Sequence, residues 1–445
     1  MVPRVEDVQG KIWRNRYSKD KGERREGGEF DLNLKRSGFW KLAEEATAQE
    51  RQNATTGEEV RFPSSLLYAI NARIGAHGLG VPALETLKLS YSKGFLGKAI
   101  CWGNLSDAIP NELVRSLRAH PARLLSWMDR TYYTPLKRRA IAHAATREIA
   151  TGRYDCFHGW SGESLGALRE AKRRGVPTLL DIPTFHRDKG KIKPRVTKRE
   201  RDLRNAPIPE RWLNRMLIMR SEVLEEYDFA DLILVFSQAA RETFLNVGFD
   251  ERRLFYVAQG VNLEEYPPGS PPDHFRLIFV GSLIKRKGVH HLLKVWKQLN
   301  LKDAELVIVG GLTAELEPYV KEFNSPTVTF TGFVANAAAE LGRSTAFVFP
   351  SESEGSAKVN YEAAACGLAQ ITTRESGDVV IDGFNGRIIP PNNPEALAEA
   401  ILDFYDNPGQ LKVMGENGRK RVAENFTWEH YRQRLSEAYR IVMRG

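Results

Sequence analysis

The sequence predicts an α/β protein of two doubly wound, Rossmann-like domains, and three observations carry that expectation. A chain of 445 residues exceeds what one ordinary core organises. From Leu66 onward, short apolar runs alternate with helical patterns, the order that builds parallel sheets covered by helices. Pro267, Pro268, Pro271 and Pro272 cluster where a linker would divide that alternation in two.

Composition narrows the function classes. Hydrophobic residues make up 42% of the chain. No apolar run reaches the roughly 18 residues that a membrane span needs. The N-terminus lacks the apolar stretch of a signal peptide. Cys101, Cys156 and Cys366 form neither a metal-ligand spacing nor a disulfide framework, so a reducing cytoplasm and no metal are expected. The net charge of +9 invites an anionic partner without naming it. Residues 1–60 read as a polar extension of mixed charge; without interleaved aromatics or a binding motif, they do not point to nucleic acid.

Taken in order, residues 66–70 (LLYAI) read as a strand, and 71–81 as a loop carrying Gly75, Gly78 and Gly80. Pro82 is placed to open a helix through Tyr91, and 98–102 form a second strand. Gly78-x-Gly80-x-x-Ala83 matches a dinucleotide fingerprint. The second strand nevertheless ends in Trp102, Gly103 and Asn104, with no acid to hold an adenosine ribose. A dinucleotide site and a structural turn both stay open there. Residues 110–150 carry helical patterns rich in Arg and Leu.

From Tyr154 the order strand, loop, helix, strand returns, with a Gly-Val-Pro turn before residues 178–182. His158 and His186 are assigned to strand ends, the edge where open α/β sheets bind ligands; each is equally readable as a histidine hydrogen-bonded within the fold. Residues 187–220 hold twelve Lys or Arg against four Asp or Glu. That run is either a solvated face or a basic patch for anionic lipid headgroups, and Pro207 and Pro209 prevent a single continuous helix. A buried strand ending at Ser237, a helix and a short strand then lead to Gly260-Val261-Asn262. Beyond the linker, strand and helix units begin at Leu277, Glu305, Val328 and Ala346, with a further strand near Ala369.

The unit at Ala346 carries the chemistry. Its strand ends at Pro350, Ser356 is a natural N-cap, and Gly367 stands where a C-cap glycine belongs, so a helix is expected over 357–366. Glu354 precedes that helix and Glu362 lies eight residues on, within it. Helical side chains lean toward the N-terminus, so two carboxylates would flank a set of free N–H groups that favours an anion. Such a combination suits a ligand that is part phosphate and part polyol. The chain closes on a helical apolar stripe at Trp428, Tyr431, Leu435 and Tyr439.

The spacing of Glu354 and Glu362, in the form PSxxEGxxxxxxEAxAxG, resembles the signature of the retaining nucleotide-sugar glycosyltransferases of family 4. The resemblance implies the GT-B fold, in which two Rossmann-like domains face a central cleft. It implies an acceptor domain over 61–260, a donor domain over 261–426, and a last helix over 427–445 that crosses back to the first domain. Glu354 would then orient the donor sugar and Glu362 the ribose, with the backbone of Gly355, Ser356, Ala357 and Lys358 facing the diphosphate.

A second segment, LIFVGSLIKRKGVHHLLKVW, resembles the family's GRLxxxKGxxxLLxA. Lys287 falls on the lysine that grips the diphosphate near Gly281, while Ser282 stands where the family has arginine, so Arg286 or Lys285 would have to compensate. Gly332-Phe333-Val334 matches the segment that holds the nucleobase, the loop with Gly78 and Gly80 would face the cleft, and His186 would line the acceptor side. The chain contains no Asp-x-Asp. Neutralising the leaving diphosphate would therefore fall to Lys287, a basic neighbour and the helix N-terminus.

The implied reaction moves a hexose-type sugar from a UDP- or GDP-sugar to an acceptor hydroxyl with retention, by front-face attack and without a further cofactor. The implied acceptor is a glycan or lipid-linked molecule, reached from the cytoplasm and, through the basic run, at the inner face of a membrane. Ser282 keeps a rival open, a non-catalytic or partner-dependent nucleotide-binding protein.

Overall fold

The computed structural model describes residues 61–188, 198–323 and 325–444. The extension expected over 1–60 lies outside the described residues. The remainder forms two all-parallel sheets, so the α/β, doubly wound expectation holds.

In the first sheet the strands are β1 (Leu66–Ala69), β2 (Leu96–Cys101), β3 (Val114–Ser116), β4 (Cys156–Trp160), β5 (Thr178–Ile182), β6 (Leu232–Val235) and β7 (Leu254–Tyr256). Their order is β3-β2-β1-β4-β5-β6-β7. Successive residues of a strand point to opposite faces, and here both faces are covered. Leu67 and Ala69 pack with Phe157 and Leu168, while Leu66, Tyr68 and Ile70 pack with Leu87 and Trp160. That double burial is why LLYAI reads as one continuous apolar run. The chain steps outward from β1 to β3 and then restarts on the other side at β4, so the sheet has its order reversal between β1 and β4, the place where sheets of this kind form a crevice beyond the strand ends.

The second sheet comprises β8 (Phe275–Val280), β9 (Ala304–Val309), β10 (Val328–Gly332), β11 (Ala346–Phe349), β12 (Ala369–Thr373) and β13 (Gly386–Ile389). Its order, β10-β9-β8-β11-β12-β13, reverses between β8 and β11. One core cluster joins β8, β9, β11 and β12 to the Val289–Leu299 and Lys358–Ala365 helices.

Several local expectations shift. The first helix spans Gly80–Ser92, beginning two residues before Pro82. The stretch read as helical contains the short strand β3 ahead of a helix over Arg130–Ile149, whose N-cap Asp129 accepts from the Thr131 N–H at 2.8 Å. The basic run becomes two short helices, Lys198–Asn205 and Ile208–Asn214, with Pro207 as the N-cap of the second; its residues 189–197 are outside the described set.

The Trp428–Arg444 helix buries Tyr431, Leu435, Ala438, Tyr439 and Val442 in the cluster that covers one face of the first sheet. Its Tyr431 hydroxyl stands 2.9 Å from Thr86 Oγ1, and its Tyr439 hydroxyl 2.8 Å from His158 Nδ1. The two chain segments that pass between the sheets run side by side. Val261 pairs with Thr427 in a parallel bridge, and a Cβ on Gly260 would lie 2.6 Å from the Thr427 carbonyl carbon.

Candidate active site

At the carboxyl end of β11 the loop from Pro350 to Gly355 is fastened to the turn Lys285–Lys287. The Arg286 carbonyl accepts from the Glu352 N–H at 2.8 Å and from the Ser351 hydroxyl at 3.1 Å. Gly288 makes this approach possible: its φ is +73°, and any Cβ there would collide with the Pro350 carbonyl. With the backbones held together, the Arg286 guanidinium reaches Glu354 Oε1 at 2.9 Å and also the Ser353 carbonyl.

Lys287 is half-buried beside this pair. Its ammonium lies 5.4 Å from the centre of the Phe349 ring and would be 3.0 Å from a Cβ on Gly281, so the side chain runs along the Gly281 backbone. Burial lowers its pKa, while Glu354 pushes the other way. Of the two residues able to compensate for Ser282, Arg286 belongs to the Glu354 cluster, whereas Lys285 turns to the Tyr319 ring, 5.0 Å from its centre. Ser282 itself is exposed.

The helix after the loop spans Lys358–Ala365 and contains Glu362, only 8% exposed. Glu362 Oε1 is 2.7 Å from Lys358 Nζ, one turn earlier. The carboxylate also lies close to Tyr266, whose phenol pKa is raised by burial and by that charge. Tyr266 escaped sequence reasoning because it sits in the proline-rich linker, which reads only as a connection.

Two details of the expected anion cradle are corrected. Ser356 does not cap the helix with its side chain; its hydroxyl pairs with Tyr361 Oη at 2.7 Å, and Ala357 takes the N-cap position without a side-chain bond. The Ala357 N–H donates to the Ser376 carbonyl at 2.8 Å and so is already occupied. Gly367 does adopt φ +78° just past the helix.

Gly355 carries the loop to the first sheet. A Cβ on it would collide with the Pro183 carbonyl and stand 3.1 Å from the Thr184 nitrogen, so the loop rests on the backbone that follows β5. Nearby, Gln259 Nε2 donates to the Ser356 carbonyl at 3.3 Å, and the Gln238 N–H to Asp378 Oδ2 at 2.8 Å.

The remaining residues are dispersed. His186 comes three residues after Pro183, but its ring is buried between Tyr227 and Phe244, and Nδ1 accepts the Asp188 N–H at 3.0 Å. Burial and the charge of Arg220 lower its pKa to about 4. His158 lies within β4; Nε2 is 3.0 Å from Asp181 Oδ2, without hydrogen-bond alignment. Phe333 follows Gly332 (φ +71°) and is 77% exposed, with Val334 half-buried. Gly78, at φ +77°, faces open space, whereas Gly80 is packed so closely on the Arg73 carbonyl that a Cβ would collide.

Residues 264–421 match the family model described as glycosyl transferases group 1. An uncharacterized glycosyltransferase of Methanocaldococcus jannaschii is 33% identical over 184 residues, covering 40% of this chain and 51% of that protein. The capsular polysaccharide biosynthesis glycosyltransferase CapM of Staphylococcus aureus is 29% identical over 180 residues, covering 39% and 47%. The matches span about half the length of these curated relatives. The crystal structure of Anabaena HepE in complex with UDP superposes with a TM-score of 0.58 at 17% identity, over 84% of this chain and 99% of that one. Residues 264–421 are thus similar to a glycosyl transferases group 1 domain, within a chain whose two Rossmann-like, parallel-sheet domains share the GT-B fold of the HepE structure.

Proposed function

We propose that this protein is a retaining, metal-independent glycosyltransferase of family 4, which moves a hexose-type sugar from a UDP- or GDP-sugar to an acceptor hydroxyl. The observation that carries the reading is the convergence of Lys287, Arg286 and Glu354 on one loop, directly ahead of the helix that bears Glu362. Lys287 and Arg286 neutralise the departing diphosphate, and Glu354 orients the sugar while holding Arg286 in place. Glu362, fixed by Lys358 and Tyr266, receives the ribose hydroxyls. Gly281, Ser282, Gly355, Ser356 and Lys358 line the phosphates, and exposed Phe333 with Val334 offers a face for the base. The loop of Gly78 and Gly80 faces the cleft. His186 acts from beneath the acceptor side, as a neutral ring that supports the backbone after β5.

The likeness to CapM, a capsular polysaccharide biosynthesis glycosyltransferase, supports a role in polysaccharide synthesis, and we extend the proposal to a cell-surface polysaccharide or a lipid-linked glycan made in the cytoplasm. No described helix is long and apolar enough to cross a membrane. The helix Ile208–Asn214 exposes Ile208 and Trp212 beside Arg211 and Arg215, which fits peripheral contact with anionic lipid.

A thermal-shift panel of UDP, GDP, ADP and NADH on the whole chain and on Glu362→Ala tests this reading. One class of nucleoside diphosphate should raise the melting temperature by mass action, and the variant should lose that rise. Ser282 in the arginine position favours a second reading, a nucleotide-binding protein without transfer. Nucleotide binding with neither transfer nor donor hydrolysis would select it.

A further inference from the structure

The order reversal of the first sheet holds a group of side chains that the donor site does not use. Arg73 follows β1, Trp102 and Gly103 follow β2, Gly162 and Glu163 follow β4, and Lys137 and Arg138 project from the Arg130–Ile149 helix. Lys137 Nζ stands 4.8 Å from the centre of the Trp102 ring. Arg73 lies along Gly103, where a Cβ would be 3.7 Å from its Cγ, and the Arg138 guanidinium presses on Gly162 at 2.6 Å from a Cβ there.

Charge in this group does not balance. Burial and the nearby charges of Arg123 and Arg73 lower the Lys137 pKa, opposed by Glu163 alone. Glu163 accepts the Asn71 N–H with one oxygen and holds the other 3.7 Å from Arg138 Nε. Burial raises its pKa to about 8, against the opposing pull of Arg138. Arg73 and Lys137 form no ion pair with any described residue. The neighbouring carboxylate, Glu226, is committed elsewhere: it accepts from the N–H groups of Gly162 at 2.6 Å, Ser164 at 2.7 Å and Leu165 at 3.1 Å. Those bonds also occupy the start of the Leu165–Arg174 helix, so recognition of an anion here falls to side chains.

An independent observation points the same way. Trp102 is 4% exposed, and its indole N–H has no acceptor among the described residues; Arg138 Nε is likewise buried without a hydrogen-bond partner. A buried donor left unmade is costly, and an oxyanion that reached either group would satisfy it. The position is also favourable. Gly355 touches the backbone after β5, the neighbour of β4, and the group spans the ends of β4, β1 and β2, one to three strand spacings, each roughly 4.8 Å, from that contact.

We propose that this crevice binds a phosphate group of the sugar acceptor, through Arg73, Lys137, Arg138 and the Trp102 indole N–H. The inference rests on the glycosyltransferase reading above and specifies its acceptor as a phosphorylated molecule.

Calorimetric titration of the whole chain, saturated with UDP, with glucose, glucose 6-phosphate and inorganic phosphate tests it, with sedimentation on phosphatidylcholine vesicles with and without phosphatidic acid as a parallel arm. Either soluble phosphates or phosphatidic acid vesicles should bind, glucose and neutral vesicles should not, and Lys137→Met or Arg138→Gln should weaken the binding by about tenfold with UDP affinity and melting temperature unchanged. Binding of the soluble anions identifies a free phosphorylated acceptor, and binding of the vesicles alone a lipid-linked one. The proposal is overturned if no phosphate binds in either arm, or if both variants retain full affinity. Loss of UDP binding in the wild type would instead strike the glycosyltransferase reading, and it is measured separately in the same titration.

Discussion

Arg286 Nη1 stands 2.9 Å from Glu354 Oε1 across 68 positions of sequence, joining the turn after β8 to the loop after β11. The pair puts an acid and a base at the reversal point of the second sheet, where a ligand would meet both. Arg286 is partly exposed, so the ion pair adds little stability by itself; its effect is to hold the two side chains in one place.

For Lys287 the expected signature is kinetic. On the proposed mechanism, Lys287→Met should lower kcat by about a hundredfold while UDP affinity changes much less, because the charge it would neutralise develops only as the sugar–phosphate bond breaks. Steady-state rates with titrated UDP binding check this, and equal losses in both would assign Lys287 to ground-state binding only.

Gly355→Ala should separate stability from activity. The added methyl has no room against the Pro183 carbonyl, so either the contact opens or the backbone shifts, at about 1–3 kcal/mol. Transfer activity should fall while nucleotide affinity persists. An unchanged rate would mean that this contact does not set the active arrangement.

The last helix should be indispensable to the first domain. Leu435→Ala removes a fully buried side chain and is expected to destabilise by about 2–5 kcal/mol. Tyr439→Phe leaves the buried His158 Nδ1 without its partner, at about 1–3 kcal/mol. Urea denaturation midpoints of both variants provide the test.

His186 predicts a particular pH dependence. Its folded pKa, about 4, lies below its ordinary value of 6.5, so the unfolded chain binds the proton first as the medium is acidified. Stability should therefore be lost as pH falls from about 6.5 to about 4, and His186→Phe should show a shallower slope across that window. Arg220, and the Asp188 carboxylate that pairs with it, are the charged groups beside the ring and remain in both proteins. Parallel slopes would show that the histidine is not the group that titrates.

Much of the fold was legible because most strands are short apolar runs buried on both faces, as in residues 66–69, 232–235 and 346–349. β3 and β13 were not. Both are sheet edges, and Val-Arg-Ser and Gly-Arg-Ile-Ile carry too little apolar alternation to stand out from a loop. The site divides along similar lines. Glu354, Glu362 and Lys287 came from local patterns that resemble known motifs, whereas the Lys137, Arg138, Arg73 and Trp102 group draws on separate segments that only the sheet order brings together. Ser356 illustrates the limit of local rules: a serine before a helix reads as a cap, yet a buried tyrosine one turn on claims its hydroxyl.

The adjacency of Gly260 and Thr427 has a mechanical meaning. Two covalent connections usually fix a pair of bodies against rotation, but two connections in contact act as one pin. Any rotation of one sheet against the other would therefore be centred on that pin, with a displacement that grows with distance from it, as at the edge of a door. Lengthening only one of the two strands would break their pairing and turn the pin into a loose tether, so an insertion beside Val261 should blur the opening angle far more than one in a surface loop.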